Sequence, residues 1–314
     1  MRAKATAGRK RLMKFPGKKA DLADRPGQLA ELDERGFLMP PGRNPADFAE
    51  TARETLRWAD GVRESLEAEG RAEVLGETFD ASAAVPREVL REGLADARQT
   101  YRISPLWVPA FYDNRFLPWY VGGAMFFDPS AGPFRVCLVL REGFRHSERW
   151  LIYDRAEIIS HELCHVARGA MEQNVFEEPL AYRLSCSGLR RLLGGAFRGR
   201  WEAPAVLCGA GLLAASAVGE VFGMDPWFKI PAAVPLAVVL AALGWRALRT
   251  AGDLRRAAGA LRRVFGEAAH AVLFRCTDEE IGSLARQPMD AVGKWLEDRE
   301  DSSRWRLIRR RFLP

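Results

Sequence analysis

Residues 153–182 read YDRAEIISHELCHVARGAMEQNVFEEPLAY, and the five residues His161-Glu162-Leu163-Cys164-His165 at their centre use two of only four histidines in a chain of 314 residues. Asp154 with Glu157 three positions later has the spacing of a capping box, so a helix is expected from there to about Gly169. On that helix His161 and His165, four apart, project from one face and can aim ring nitrogens at a single point. Zinc takes about four ligands at ~2 Å, and two histidines one turn apart supply one edge of such a tetrahedron. Glu162 lies roughly 100° around from His161, placed to reach a water on the metal without ligating the ion. A carboxylate there can act as general base while Lewis acidity activates the water and polarises an amide carbonyl. Ala156, Ile159, Leu163, Val166 and Ala170 form a separate apolar stripe, which leaves the histidines free of core duty. Cys164 reads as a small spacer rather than a ligand.

A third protein ligand is needed. The extended pattern H-E-x-x-H-x-x-G-x-x-H fails, because Met171 stands where the third histidine would be. The downstream candidates are Glu177 and Glu178. Pro179 belongs in the first turn of a helix, so a second helix should start beside these carboxylates, folded back by a turn between Ala170 and Asn174. The HELCH motif followed by Glu178-Pro179-Leu180-Ala181, an E-x-x-A, resembles the gluzincin branch of the zincin metallopeptidases over roughly residues 107–187. That resemblance implies one Zn2+ per chain held by His161, His165 and Glu178, with Glu162 as base, Glu177 as a supporting or capping group, and a substrate lying along an edge strand. Twelve residues separate His165 from Glu178, fewer than in many gluzincins, and Tyr182 stands where relatives often carry Asp or Asn. Tyr182 and His146 are candidate oxyanion stabilisers, with core packing the other reading of Tyr182.

Around this stretch the hydrophobic period changes. Residues 1–45 mix Lys, Arg, Gly and Pro and read as a basic flexible tail and linker. The run from Pro45 to about Glu69, with Phe48, Leu56, Ala59, Val62 and Leu66 on one side, and the run PREVLREGLADARQTY read as helices. LWVPAFYDN, PWYVGGAMFFD and FRVCLVLRE are aromatic, β-branched and bounded by turn residues, and read as three strands of a small antiparallel or mixed sheet. GGAMFFD (122–128) is the expected edge strand, its glycines leaving room for a substrate backbone. The expected fold is α+β: a zincin-like domain over 46–200, a transmembrane helical hairpin over 201–247 and a helical basic region over 248–314.

The hairpin rests on two charge-free segments, 203–219 and 230–245, each roughly 25 Å long as a helix. Arg190, Arg191, Arg198 and Arg200 precede the first; Arg246, Arg249, Arg255 and Arg256 follow the second. With Trp201, Trp227 and Trp245 at segment ends, the positive-inside rule puts both termini and the catalytic part in the cytoplasm of a two-pass inner-membrane protein. The net charge of +6 fits anionic lipid near that surface, and no nucleic-acid motif accompanies it. Five scattered cysteines form no disulfide framework, and no apolar run follows the basic N-terminus, so a cleaved signal peptide is not expected. The expected partners are a peptide or protein substrate and the lipid bilayer. Two other readings remain: a membrane-anchored interaction protein with a closed, structural zinc site, and a regulatory module in which 265–314 forms a self-contained substrate-binding unit. An open fourth coordination position beside Glu162 separates catalysis from structure.

Overall fold

The computed structural model describes residues 26–118, 122–127, 134–171, 173–197, 201–223, 230–288 and 291–313. Helix α1 (Pro26–Glu34) opens it, and Phe37, Leu38 and Met39 behind it are buried, so residues 26–45 are part of the folded body rather than a linker. Residues 1–25 of the expected tail lie outside the described residues. Helix α2 (Pro45–Glu69) starts where Asn44 accepts hydrogen bonds from the Ala46 and Asp47 amides, and ends at Gly70 in the left-handed region. Strands β1 (Arg71–Val74) and β2 (Glu77–Asp80) form an antiparallel hairpin turned at Leu75 and Gly76, both at positive φ. Its Ala72, Val74 and Phe79 are buried, a short alternation that had not been read as strand.

The run PREVLREGLADARQTY is two helices, α3 (Arg87–Gly93) and α4 (Ala95–Tyr101), because Gly93 sits against another element. A Cβ on Gly93 would fall 2.6 Å from Ile159, and Ser160 donates a hydrogen bond to the Gly93 carbonyl. Strands β3 (Ala110–Tyr112), β4 (Gly123–Phe127) and β5 (Val136–Leu140) make a mixed sheet in the order β3-β5-β4, with β3 parallel and β4 antiparallel to β5. Central β5 serves two cores: Leu138 and Leu140 join the main one, and Cys137 and Val139 face a smaller one with Val62, Phe79 and Phe111. A two-residue hairpin, β6 (Arg149–Trp150) and β7 (Tyr153–Asp154), leads into α5 (Arg155–Arg168).

Beyond α5 come α6 (Glu177–Tyr182), α7 (Gly188–Leu193), α8 (Glu202–Val221) and α9 (Ile230–Phe265). Among the described residues, two helical stretches, Glu202–Val221 and Ala233–Phe274, are long and apolar enough to cross a membrane. The expected boundary at 247 is not a break. Helix α9 runs 36 residues without interruption, about 54 Å, and its far end buries Leu254, Ala257, Leu261 and Phe265 in the core that also holds Ile159 and Leu163 of α5. The turn between α8 and α9, with Asp225 and Trp227, lies outside the described residues.

Helices α10 (Ala269–Phe274), α11 (Asp278–Arg286), α12 (Val292–Glu297) and α13 (Ser303–Phe312) complete the same core, so 265–314 is not self-contained. Thr277 and Glu280 form the expected reciprocal capping box on α11. Buried Arg275 donates to Asp33 of α1 (Nη2 to Oδ2, 2.7 Å) and to the Tyr101 carbonyl, and Arg311 of α13 also pairs with Asp33. Chain start, α4 and chain end are thereby clamped together.

Candidate metal centre

Helix α5 begins where Asp154 accepts from the Ala156 and Glu157 amides at 3.0 and 3.3 Å. The reciprocal half of the expected capping box is replaced. Glu157 instead pairs with Arg190 at 2.9 Å and accepts from the Cys186 thiol. Ile159, Leu163, Val166 and Ala167 are buried as the stripe requires, whereas Ala156 is exposed. Cys164 packs in the core, where burial pushes its thiol up. That leaves His161, Glu162 and His165 on the remaining side of the helix.

The chain then reverses, and its return is fixed from outside the motif. Asp278, the first residue of α11, accepts from the amides of Asn174, Val175 and Phe176 at 2.9, 2.6 and 3.2 Å. The Tyr101 hydroxyl donates to the Leu180 carbonyl at 2.6 Å. Arg168, fully buried, donates to the carbonyls of Phe274 and Cys276 and holds the end of α5 to α10. These contacts set α6 so that both carboxylates at its start, Glu177 and Glu178, face the histidines.

The two glutamates do different things. Glu177 Oε1 lies 3.0 Å from His165 Nδ1, and the carboxylate can only accept, so Nδ1 carries a hydrogen and Nε2 is the atom turned toward His161 and Glu178. Glu178 turns the other way, with Oε2 3.5 Å from His161 Nε2 and Oε1 3.4 Å from His165 Nε2. The two Nε2 atoms are 3.2 Å apart. A tetrahedral ion with bonds of about 2.0–2.1 Å separates its ligand atoms by about 3.3–3.4 Å. The imidazole pair therefore stands at about one such edge, and the Glu178 carboxylate spans the two rings with a different oxygen facing each Nε2.

Electrostatics agree with a cation at that point. Burial, then the charge of His165, hold His161 down to about 3, so it is a neutral imidazole at ordinary pH. Burial also opposes charge on His165, but its hydrogen bond to Glu177 and the charges of Glu178 and Glu162 outweigh it and bring the ring up to about 9. Glu162 is raised to about 7, mainly by burial, against the opposing charge of His165 and with Glu178 adding to the rise. Three carboxylates around two imidazoles thus gather a proton where a metal cation would serve as well. His161 Nδ1 is buried and has no hydrogen-bond partner among the described residues. The donors, two imidazoles and a carboxylate, suit a borderline divalent metal.

Tyr182 comes to the cluster: its ring centre is 4.3 Å from that of His161, and burial, then Glu178 and Glu162, keep its hydroxyl protonated up to about 12. Gly194 makes room for it, since a Cβ there would fall 2.2 Å from the Tyr182 ring. His146 does not come to the cluster. It is exposed at the end of the turn 142–145, with no hydrogen bond or ion pair among the described residues.

Strand β4 flanks the cluster as the sheet's edge. The Arg141 amide donates to the Gly122 carbonyl at 2.9 Å, and alternation from that pair turns Ala124 and Phe126 toward β5. Gly123, Met125 and Phe127 then present their backbone groups to the opposite edge, and the Met125 amide donates to the Glu162 carboxylate. The room at the glycines is already taken: a Cβ on Gly123 would meet Ile158 at 2.6 Å, and one on Gly122 would meet Tyr153 at 3.2 Å. On the face of the sheet the missing side chains make room for Ile158 and Tyr153.

A cleft of about 710 Å³ lined by Arg98, Arg102 and Arg311, and another of about 400 Å³ lined by Arg183, Arg262 and His270, include none of the cluster residues. Asp278 and Tyr101 escape a motif search because each acts from far along the chain, and Arg168, in the motif helix itself, because its partners lie more than a hundred residues on; Asp278 is legible only as part of a helix start. Comparison with protein-family models, with curated proteins and with solved structures gives no match.

Proposed function

We propose that the chain is a membrane-anchored zinc metallopeptidase in which His161, His165 and Glu178 are the ligands and Glu162 is the general base. The observation that carries this reading is the convergence of two Nε2 atoms 3.2 Å apart on the Glu178 carboxylate, one oxygen 3.5 Å from His161 and the other 3.4 Å from His165, with the buried Glu162 carboxyl beside them. Zinc, when bound, supplies Lewis acidity that polarises a carbonyl and acidifies a water. Glu162, whose carboxyl burial raises to about 7 with no metal ion beside it, can take a proton and return it to a leaving amine. Glu177 keeps the His165 ring in one tautomer and orientation, a role whose loss weakens metal binding without removing a ligand. With the Met125 amide taken by Glu162, the outward backbone groups of Gly123 and the Met125 carbonyl would pair with an extended peptide along the edge of the sheet. The Tyr182 hydroxyl, protonated throughout the neutral range, is a donor for the charge that develops on the carbonyl oxygen.

Helix α8 and the first part of α9 anchor the body as a two-pass hairpin. Arg190 and Arg191 before it and Arg246, Arg249, Arg255 and Arg256 after it favour the cytoplasmic side for both flanks. A closed structural zinc site would need a fourth protein ligand, and among the described residues three converge.

The test compares detergent-purified wild type with Glu162→Ala and with chelator-treated protein on a quenched-fluorescence peptide library. Wild type should hydrolyse peptide, chelation should stop it, and Glu162→Ala should keep its metal yet be inactive. Hydrolysis undiminished in Glu162→Ala, or metal-loaded wild type that cleaves nothing, would overturn the proposal.

A further inference from the structure

The β6–β7 hairpin turns on two residues, Leu151 and Ile152, at the place where two-residue turns favour Asn-Gly or glycine. Leu151 is held at φ +53, a conformation a branched side chain adopts at a cost. The two side chains are 71 % and 73 % exposed, so the strain is not repaid by burial within the chain. Arg190 fastens this tip to α7: it donates to the Ile152 carbonyl, pairs with Glu157 and lies 5.6 Å from the centre of the Tyr153 ring. On α7 itself Leu189, Leu192 and Leu193, at helical spacing, are exposed, and Phe197 and Trp201 continue the apolar surface to the first turn of α8. The base of this surface is fixed to the apolar hairpin, for Ala196 packs with Leu243 and Ala247, and Arg246 donates to the Ala196 carbonyl at 3.1 Å. Exposed Arg149 and Arg191 lie beside it.

We propose that the Leu151-Ile152 tip and the leucine face of α7 dip into the bilayer interface, and that they hold the His161-His165-Glu178 cluster near the membrane surface. The occupant is lipid because this apolar surface leads along the chain to α8, the more apolar of the two described helices long enough to cross a membrane, and because arginines border it as anionic headgroups require. The surface and the cluster share parts. Tyr182 packs at once on His161 and over Gly194 at the end of α7, and α5 begins directly after β7. If the proposed peptidase activity holds, on which this step rests, the substrate class follows: extended segments of membrane-tethered chains close to the bilayer, lying along the open edge of β4. Folded soluble proteins could not bring a strand to that edge.

The test uses the full chain in nanodiscs containing a minority of anionic lipid, with the exposed thiols removed by Cys186→Ala and Cys208→Ala. A bimane probe at Leu151→Cys should be quenched by lipids carrying a nitroxide near the headgroup, several-fold more than one at Glu88→Cys on α3. Equal quenching at the two positions overturns the lipid contact, as does shielding of the 151 probe by a second copy or a soluble protein instead of by lipid. The double variant Leu151→Gly, Ile152→Asn places glycine at the one turn position with positive φ, so the hairpin is kept while its apolar tip is lost. It should cut cleavage of a membrane-tethered substrate by roughly tenfold, the scale of an effective-concentration loss, while soluble-peptide hydrolysis is unchanged. Equal loss on both substrates overturns the substrate class. A wild type inactive on both sinks the peptidase reading alone, since quenching reports the lipid contact independently.

Discussion

Glu177 and Glu178 are neighbours of the same chemical type, yet they meet opposite sides of the imidazole pair. Glu177 holds the Nδ1 hydrogen of His165, and Glu178 stands opposite both Nε2 atoms. Glu178→Ala should therefore abolish stoichiometric metal, while Glu177→Ala should retain the site with affinity weakened about 10- to 100-fold, the usual effect of losing a carboxylate behind a histidine ligand. Competition with a chromophoric chelator measures both, and a reversed order would exchange the two roles and leave the mechanism in place. The sequence made His161, Glu162 and His165 legible because a helix turns four residues into one face. It left the two glutamates open because a preference between them depends on the path of a turn. It offered His146 on residue type alone, and that residue is exposed. Tyr182, also chosen by position, packs on His161 because Gly194 yields the space.

Helix α6 is short and owes its placement to a neighbour more than a hundred residues away. Asp278 satisfies three consecutive amides just before Glu177, so it acts on the metal ligand without touching it. Asp278→Ala should lower stability by about 1–3 kcal/mol, the cost of amides left without an acceptor, and should weaken metal binding as well. Asp278→Asn, which still offers one carbonyl oxygen, should recover part of both in calorimetry and chelator competition; an unchanged metal affinity in the alanine variant would show that α6 is positioned otherwise. Elements with strong local signals were readable: α2 from its Asn44 cap and apolar spacing, and α5 from Asp154. The parallel pairing of β3 with β5 was not, since strand direction depends on a connection whose course no local pattern encodes. Residues 26–45 misled through their Pro and Gly content, although the consecutive Phe37, Leu38 and Met39 carried a core signal. The continuity of α9 was hidden by its arginines, while Leu254, Ala257, Ala258 and Leu261 kept a helical period beneath them.

The body is closed by chain ends that meet in its interior. Asp33 near the start accepts from Arg275 and Arg311 near the end, and its side chain and that of Arg275 are almost fully buried. Asp33→Ala leaves both guanidinium groups without their carboxylate and should cost about 3–5 kcal/mol, seen as a lowered unfolding midpoint. A midpoint unchanged in that variant would mean the clamp adds nothing to stability. The same closure makes 248–314 part of the body that carries the His161-His165-Glu178 cluster, so a chain ending at Arg246 should neither fold nor hold metal. Anchoring through α8 and α9 predicts that the protein stays in the membrane fraction through an alkaline or high-salt wash, which would release a chain held only by basic contacts with headgroups. All of this serves one arrangement of three donor atoms. X-ray absorption at the zinc edge of detergent-purified protein reads that arrangement without relying on activity. The expected spectrum is one zinc per chain with two imidazole nitrogens, a carboxylate oxygen and a further light atom from solvent, all at about 2.0–2.1 Å, and no sulfur. Metal-free protein, a sulfur shell near 2.3 Å, or a fourth protein ligand closing the site would refute it.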